Sequence, residues 1–431
     1  MLILLKWVLF FKMCGGLRMV EMKSGYKMTE VGVIPEDWEV KELSSISEIK
    51  SGKRLPKGSL VTSSKTPYPY IRVIDMNMGY LKLSDIMYVP ENVQPMISKY
   101  IISKNDIYIS VAGTLGLVGK IPEELDGANL TENANRITEI QCNRDYLMYY
   151  MMSPLIQNVI EAERTIGAQP KLALQRIRDF YIVLPRDNRE QAAIAAALSD
   201  VDSLISALTK KIEKKKAIKQ GLMQQLLTGK KRLPGFVGVW DVVQLKRIIS
   251  EFIVPMRDKP TALTGTIPWC RIEDFDGKYL KKSLSNQGVD LNTVSKMNLK
   301  IFPVNTLLVS CSANLGRCAI VKQKLVTNQT FIGLVPSDRI DVEFLYYKIS
   351  REDKNLNNMA TGTTISYLSR EQFENYEILI PSSKAEQTAI SNILSDCDSE
   401  IAALEEKRDK YKEIKQGMMQ QLLTGKIRLI K

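Results

Sequence analysis

The segment IKQGLMQQLLTGK at residues 218–230 returns as IKQGMMQQLLTGK at residues 414–426. One position of the thirteen differs, Leu222 against Met418, and the copies stand 196 residues apart (414 − 218). An internal repeat constrains the architecture before any single motif does, because each copy must be one unit of a repeated design. The register continues upstream without a gap. Pro185 aligns with Pro381, Glu190 and Gln191 with Glu386 and Gln387, and Leu198, Ser199 and Asp200 with Leu394, Ser395 and Asp396.

Each copy reads as one long helix. Pro185 and Pro381 close apolar, strand-like runs, and Asp187 and Ser383 follow as N-caps. Glu190 and Glu386 lie three residues further on, the spacing of a capping box. Ile194, Leu198, Val201, Ile205, Leu208 and Ile212 alternate in steps of four and three. Ile390, Leu394, Cys397, Ile401 and Leu404, with Leu422 at the far end, repeat the pattern, which is that of a coiled-coil seam. Both helices should run about 41 residues before Gly229 or Gly425 stops them. If the seams pair, the helices are antiparallel, and the segment LTGKIRLIK is brought towards the stretch before Trp38.

The intervening segments repeat faintly. Trp38, Val40 and Leu43 align with Trp240, Val242 and Leu245, Arg72 and Asp75 with Arg271 and Asp274, and Gly116 with Gly316. Apolar alternation, Gly and Asn turns and short amphipathic pieces predict mixed α/β (α+β) domains. The expected order is a leader (1–33), a first domain (34–186), a long helix (187–232), a second domain (233–382) and a second long helix (383–431). The apolar start, MLILLKWVLFFK, is too short to span a bilayer and is interrupted by Lys6 and Lys12. Translation is expected to begin downstream of it, at Met19, Met22 or Met28.

Composition excludes much chemistry. The chain contains no histidine, so Ser-His-Asp and Cys-His nucleophile systems and His-ligated metals are ruled out. Its six cysteines form no CxxC pair and read as reduced thiols of a cytosolic protein. No metal site is expected. Net charge is +12, which favours a polyanionic partner, although acidic and basic residues balance over residues 34–186. The glycines of GTLGLVGK (113–120) imitate a phosphate-binding loop, but the spacing is one residue too long and Ile121 replaces the Mg²⁺-binding Ser or Thr. A tight turn between buried strands accounts for them better.

The pattern of EQ, IKQG, QQLLTGK and RLPGF, flanked by Trp38 and Trp240, resembles the specificity subunit of type I restriction-modification systems over residues 22–431. The resemblance implies two target-recognition domains separated by two antiparallel helices, in pseudo-twofold arrangement. It also implies double-stranded DNA, two methyltransferase subunits and endonuclease-translocase subunits as partners, in the cytoplasm and with no membrane. The subunit itself would be non-catalytic, with S-adenosylmethionine, ATP and Mg²⁺ on its partners. Neither N-P-P-[FY] nor D-P-P-[FY] occurs in the chain, in line with this. A self-sufficient nuclease or methyltransferase, and a purely structural scaffold, are the rival readings.

Candidate DNA contacts cluster in loops. SGKRLPKG supplies Lys53, Arg54 and Lys57, and TIGAQPKLALQRIR supplies Gln169, Lys171, Arg176 and Arg178. TGTTISYLSREQ offers Thr363, Thr364, Ser366, Tyr367 and Arg370, and Arg72 and Arg271 complete the set. Such side chains hold phosphates or read base edges. The basic run Lys210, Lys211, Lys214, Lys215, Lys216 and Lys219 reads first as a solvated helix face, with DNA or an acidic partner as alternatives. Met223, Leu226, Leu227, Met419, Leu422 and Leu423 should pack either where the helix ends meet the domains or against methyltransferase subunits.

Overall fold

The computed structural model describes residues 24–163, 171–255, 259–312, 314–360 and 367–430. The proposed translation start thus lies mostly outside the described residues, although Met28 falls within the strand Tyr26–Thr29. The chain divides into two compact units. One contains the residues up to Ala207 together with Arg408–Lys431; the other is Leu208–Lys407. Each long helix contributes one half to each unit, so the units are not cut at the ends of the helices.

In the first unit, β1 (Trp38–Glu42) pairs with β6 (Tyr181–Pro185), Trp38 lying opposite Pro185. A four-stranded antiparallel sheet runs in the order β2 (Glu48–Ser51), β5 (Ala134–Thr138), β3 (Ile107–Ser110), β4 (Val118–Lys120). All four residues of β3 are buried, as expected for a strand covered on both faces. A smaller sheet pairs Pro69–Ile71 in parallel with Ala128–Leu130. Helix α1 (Arg144–Met152), with Asn143 as its N-cap, buries seven of its nine residues.

The second unit repeats the plan. Strand β7 (Trp240–Gln244) pairs with β13 (Glu377–Pro381), and Trp240 lies opposite Pro381. The main sheet is β8 (Ile249–Ile253), β12 (Phe331–Pro336), β10 (Leu307–Ser310), β11 (Cys318–Val321), β9 (Tyr279–Leu280). Only its last pair is parallel. Helix α3 (Val342–Ile349), capped by Asp341, takes the place of α1. Mixed sheets with short helices therefore build both domains.

The long helices α2 (Asn188–Leu226) and α4 (Lys384–Leu422) have 39 residues each, roughly 58 Å at 1.5 Å per residue. In the first unit Asp202 pairs with Lys415 and Glu190 with Arg428; in the second Lys219 pairs with Asp398 and Lys216 with Glu405. As one number rises the other falls, which makes the helix halves antiparallel within each unit. Ile194, Leu198, Leu208, Ile212, Ile390, Leu394 and Ile401 are buried, whereas Val201, Ile205, Cys397 and Leu404 are half-buried. Part of α2 matches a membrane span by length and composition, but Ile194, Ala195 and Leu198 already lie in the first unit's core.

The helix starts depart from the expected capping box. Asp187 accepts the Arg189 N–H at 2.8 Å, as an N-cap does. Glu190 and Glu386, however, are 2 % and 1 % exposed and serve a different purpose. Glu190 accepts the Trp38 indole N–H at 3.1 Å and two nitrogens of Arg428. Glu386 accepts the Trp240 indole N–H at 3.3 Å and two nitrogens of Arg232. A carboxylate buried to this degree requires a cation and hydrogen-bond donors, which a solvent-facing capping box could not supply. Gln191 and Gln387 complete the joint, donating to Pro185 O and Pro381 O while accepting the Asn143 and Asp341 N–H groups.

The helix ends are fixed by the same logic. Gly229 and Gly425 adopt φ of +70° and +69°, the left-handed stop that glycine permits. A Cβ on Gly425 would stand 2.4 Å from Pro35. Tyr26 donates to the Gly425 carbonyl at 2.9 Å, so within the first unit the chain after α4 does lead back to the stretch before Trp38. At the end of α2, Lys348 and Arg351 donate to the carbonyls of Leu227 and Met223, each at 3.0 Å, where cations suit the helix dipole.

Candidate nucleic-acid interface

Strands β3 and β4 are joined by the turn 111–117, where Gly113 and Gly116 take φ of +78° and +75°. Ser110 staples it, its hydroxyl donating to Thr114 O and accepting the Leu117 N–H. The Walker-like glycines are thus a tight turn. Two further segments lie against it. Val111 N donates to Asn133 O at 2.8 Å, and Leu172 N donates to Val111 O at 2.9 Å, with Lys171 bridged to Ala112. On the far side of Asn133, Gly52 N donates to Ala134 O and Lys53 N to Leu130 O. A Cβ on Gly52 would lie 2.0 Å from the Thr131 carbonyl, so glycine is required for this approach. Lys53, Arg54, Glu132, Asn133, Ala112 and Lys171 consequently form one strip, although they come from four separate parts of the chain.

The individual candidates fare differently. Lys57, Lys171 and Arg178 are exposed. Lys53 is exposed too, its ammonium 5.6 Å from the Tyr100 ring. Arg54 is 78 % exposed and donates from Nε to Glu132 at 2.7 Å. Arg176 is held by Glu163 at 3.0 Å. Arg72 has to be reassigned: its Nε and Nη2 grip Asp75 at 3.0 and 2.8 Å, and Nη2 also donates to Asp85 O. A guanidinium committed to a 4 %-exposed carboxylate is a fold clamp and has little left for DNA. Arg271 is half-buried, with its backbone N–H on Asp274 and its Nε buried. Gln169 lies outside the described residues.

The second unit builds the same scaffold with other side chains. Cys311 N donates to Thr330 O and Leu368 N to Cys311 O, both at 2.9 Å, and Tyr367 bridges Ser312. Asn314 and Gly316 supply the positive φ of the turn, +57° and +81°. Tyr367 is 41 % exposed, and Arg370 pairs with Glu374 at 2.6 Å. Thr363, Thr364 and Ser366 lie outside the described residues. Sequence reasoning missed Glu132, Asn133 and Asn314. The polar run TENAN between two strands, and the turn glycines dismissed as a false phosphate loop, were the signals available.

The lysine run is only partly a solvated face. Lys215 and Lys216 pair with Glu400 at 2.7 Å and Glu405 at 2.6 Å. Lys219 is drawn in further, with its ammonium on Asp398, which also accepts the Tyr347 hydroxyl at 2.6 Å. The ammonium lies 5.4 Å from the Tyr347 ring centre. The first unit holds the same triad in Lys415, Asp202 and Tyr149. Leu226 and Leu227 are buried in the second unit's core with Met223 packed against it; Met419, Leu422 and Leu423 are buried in the first unit's core. These six hold the helix ends to their own domains, which leaves little of their surface for another subunit.

What the strip offers chemically is donors, cations and one fixed carboxylate. The described cysteines are free, and burial raises Cys142 and Cys311 to about 11 and Cys270 and Cys318 to about 12. Those thiols stay protonated at neutral pH and are poor nucleophiles.

The family model described as "Type I restriction modification DNA specificity domain" matches residues 35–220 and again 240–416. The chain is 26 % identical to a putative type I restriction enzyme MjaX specificity subunit of Methanocaldococcus jannaschii, covering 94 % of this chain and 97 % of that one. Its fold is similar to the crystal structure of a type I restriction-modification system S subunit from M. genitalium. The TM-score is 0.58 at 17 % identity, over 93 % of this chain and 99 % of that one. A chain from a structure concerned with complex assembly and conformational transition of the type I R-M system gives 0.54 at 16 % identity, over 91 % and 99 %.

Proposed function

The chain belongs to the type I restriction-modification DNA specificity family, and from that premise we propose that it is the subunit that selects the DNA sequence. Each domain reads one half of a bipartite, asymmetric site; the long helices set the spacing and dock two methyltransferase subunits. The observation that carries this reading is the strip built twice on one hydrogen-bonded scaffold, Leu172 to Val111 and Leu368 to Cys311, with different side chains displayed on each. A shared frame with different donors and acceptors is what two readers of unlike sequences require.

The subunit is non-catalytic and works in the cytoplasm. Methylation draws on S-adenosylmethionine, and restriction on ATP and Mg²⁺, all held by methyltransferase and endonuclease-translocase partners. The test is sequencing of methylated genomic DNA with and without this gene. One bipartite motif should vanish on deletion; an unchanged methylation pattern in cells that express the partners would refute the assignment. Purified chain alone should neither methylate nor cut DNA, and should select a sequence from random duplexes, which a scaffold would not.

A further inference from the structure

The strip of the first unit is cationic except at one place. Glu132 stands between Lys53, Arg54 and Lys171, where a strip built only to hold phosphates would gain nothing from a negative charge. The carboxylate is also fixed in position. Oε1 accepts Arg54 Nε at 2.7 Å, and Oε2 accepts the hydroxyl of Thr131, a buried residue, at 3.1 Å. Contact with Arg54 and with the backbone N–H lowers its pKa against the opposing effect of burial, so it is ionised at neutral pH. The backbone beneath it is held by the Thr131 N–H on Ile71 O and by the close passage of Gly52.

Two sets of hydrogen-bonding groups remain. Arg54 uses Nε alone, and no partner of its two Nη groups is found among the described residues. A carboxylate has about four acceptor positions, of which Arg54, the Thr131 hydroxyl and the backbone N–H take three, leaving one for a ligand. The pair therefore presents donor, donor and acceptor side by side on an exposed edge. A G·C base pair presents the complement in the major groove: the N7 and O6 acceptors of guanine and the N4 amino donor of cytosine. An A·T pair offers an acceptor, a donor and an acceptor, and sets its adenine amino group against Arg54.

We propose that Arg54 and Glu132 act as one unit that reads a G·C base pair in the first half-site. Arg54 takes guanine N7 and O6 through its Nη groups, and Glu132 takes the cytosine amino group while keeping Arg54 flat and aimed. The inference rests on the two-reader function above and names what one of its readers recognises. The competing arrangement, in which Arg54 grips a phosphate and Glu132 is merely its counter-ion, differs in a measurable way.

The experiment uses the complex assembled with its methyltransferase partner, as wild type, Glu132→Gln and Arg54→Lys. Methylated-motif sequencing defines the wild-type half-site assigned to residues 34–186. Competition with duplexes altered at each G·C pair of that half-site then reads discrimination. Both variants should lose roughly 5- to 150-fold of discrimination at the same single G·C position, with the second half-site still selected. Retained discrimination at the other positions of the first half-site certifies that the first domain of a variant is folded. The proposal is overturned if both variants weaken all first-half duplexes equally, or if that half-site contains only A·T pairs. Failure of the underlying function is separate: the wild-type complex would then yield no bipartite motif at all.

Discussion

Glu190 and Arg428 lie 238 residues apart in sequence, yet two nitrogens of the guanidinium meet the two carboxylate oxygens at 2.5 and 2.7 Å. The Trp38 indole closes the third side. Arg232, Glu386 and Trp240 repeat the joint. Arg428 and Arg232 are again 196 residues apart (428 − 232), the spacing of the repeat.

Removing the cation from such a joint leaves a buried charge unpaired. Arg428→Met should cost about 3 kcal/mol, the low end for a broken buried pair because Arg428 is 31 % exposed. Arg232→Met should do the same to the second unit. Denaturant unfolding of each variant measures it, and an unchanged midpoint would show that the joint does not hold helix to domain.

Asp37 adds an acid-sensitive element. Its hydrogen bond to Arg428 holds its carboxyl below the ordinary value of 3.8. A folded-state value below the unfolded one contributes stability that is complete above pH 4 or so and is lost as pH falls through the lower value. Asp37→Asn should remove that contribution at neutral pH, leave stability at the lowest pH almost unchanged, and so flatten the acid limb of a stability–pH curve. An identical acid limb would deny Asp37 this part.

Lys171, on the strip, and Arg72, clamped on Asp75, should part company. Lys171→Ala should weaken binding to all sequences about equally and reduce the salt slope by roughly 0.9. Arg72→Ala should lower stability by loosening Asp75, with the salt slope unchanged. Titrations at several salt concentrations beside thermal melts tell them apart. A changed slope in Arg72→Ala would restore it to the DNA contacts.

The paired helices provide the last prediction. Seven residues inserted after Ala207 and after Ala403 keep the seam in phase and lengthen each helix by roughly 10.5 Å. The non-specific spacer of the methylated motif should grow by about three base pairs, at 3.4 Å each along the DNA axis. Both half-sites should stay as they were. An active variant with the original spacer would show that another element measures the DNA.

The long helices and their antiparallel seam were legible in the sequence because a period of 3.5 and a repeated segment are local signals. The strip was not. Gly52, Asn133, Val111 and Leu172 meet through backbone hydrogen bonds, which leave no periodic trace in side-chain types. Glu190 was misread for a related reason. The capping-box spacing is genuine, but the winning interaction comes from Trp38 and Arg428, far away in sequence. Arg72 was selected for its charge, while Asp75, three residues away, had already claimed it.

The division of each long helix between two units bears on the order in which the protein assembles itself. Residues 208–407 form one unbroken segment that contains everything the second unit needs. The first unit lacks the segment that carries Met419, Leu422, Leu423 and Arg428 until residues 408–430 have been made. At about 5–20 residues per second, Ile194 and Leu198 wait on the ribosome for tens of seconds without their full covering. The half begun first is therefore the half completed last, and it is the one that has to be sheltered during synthesis.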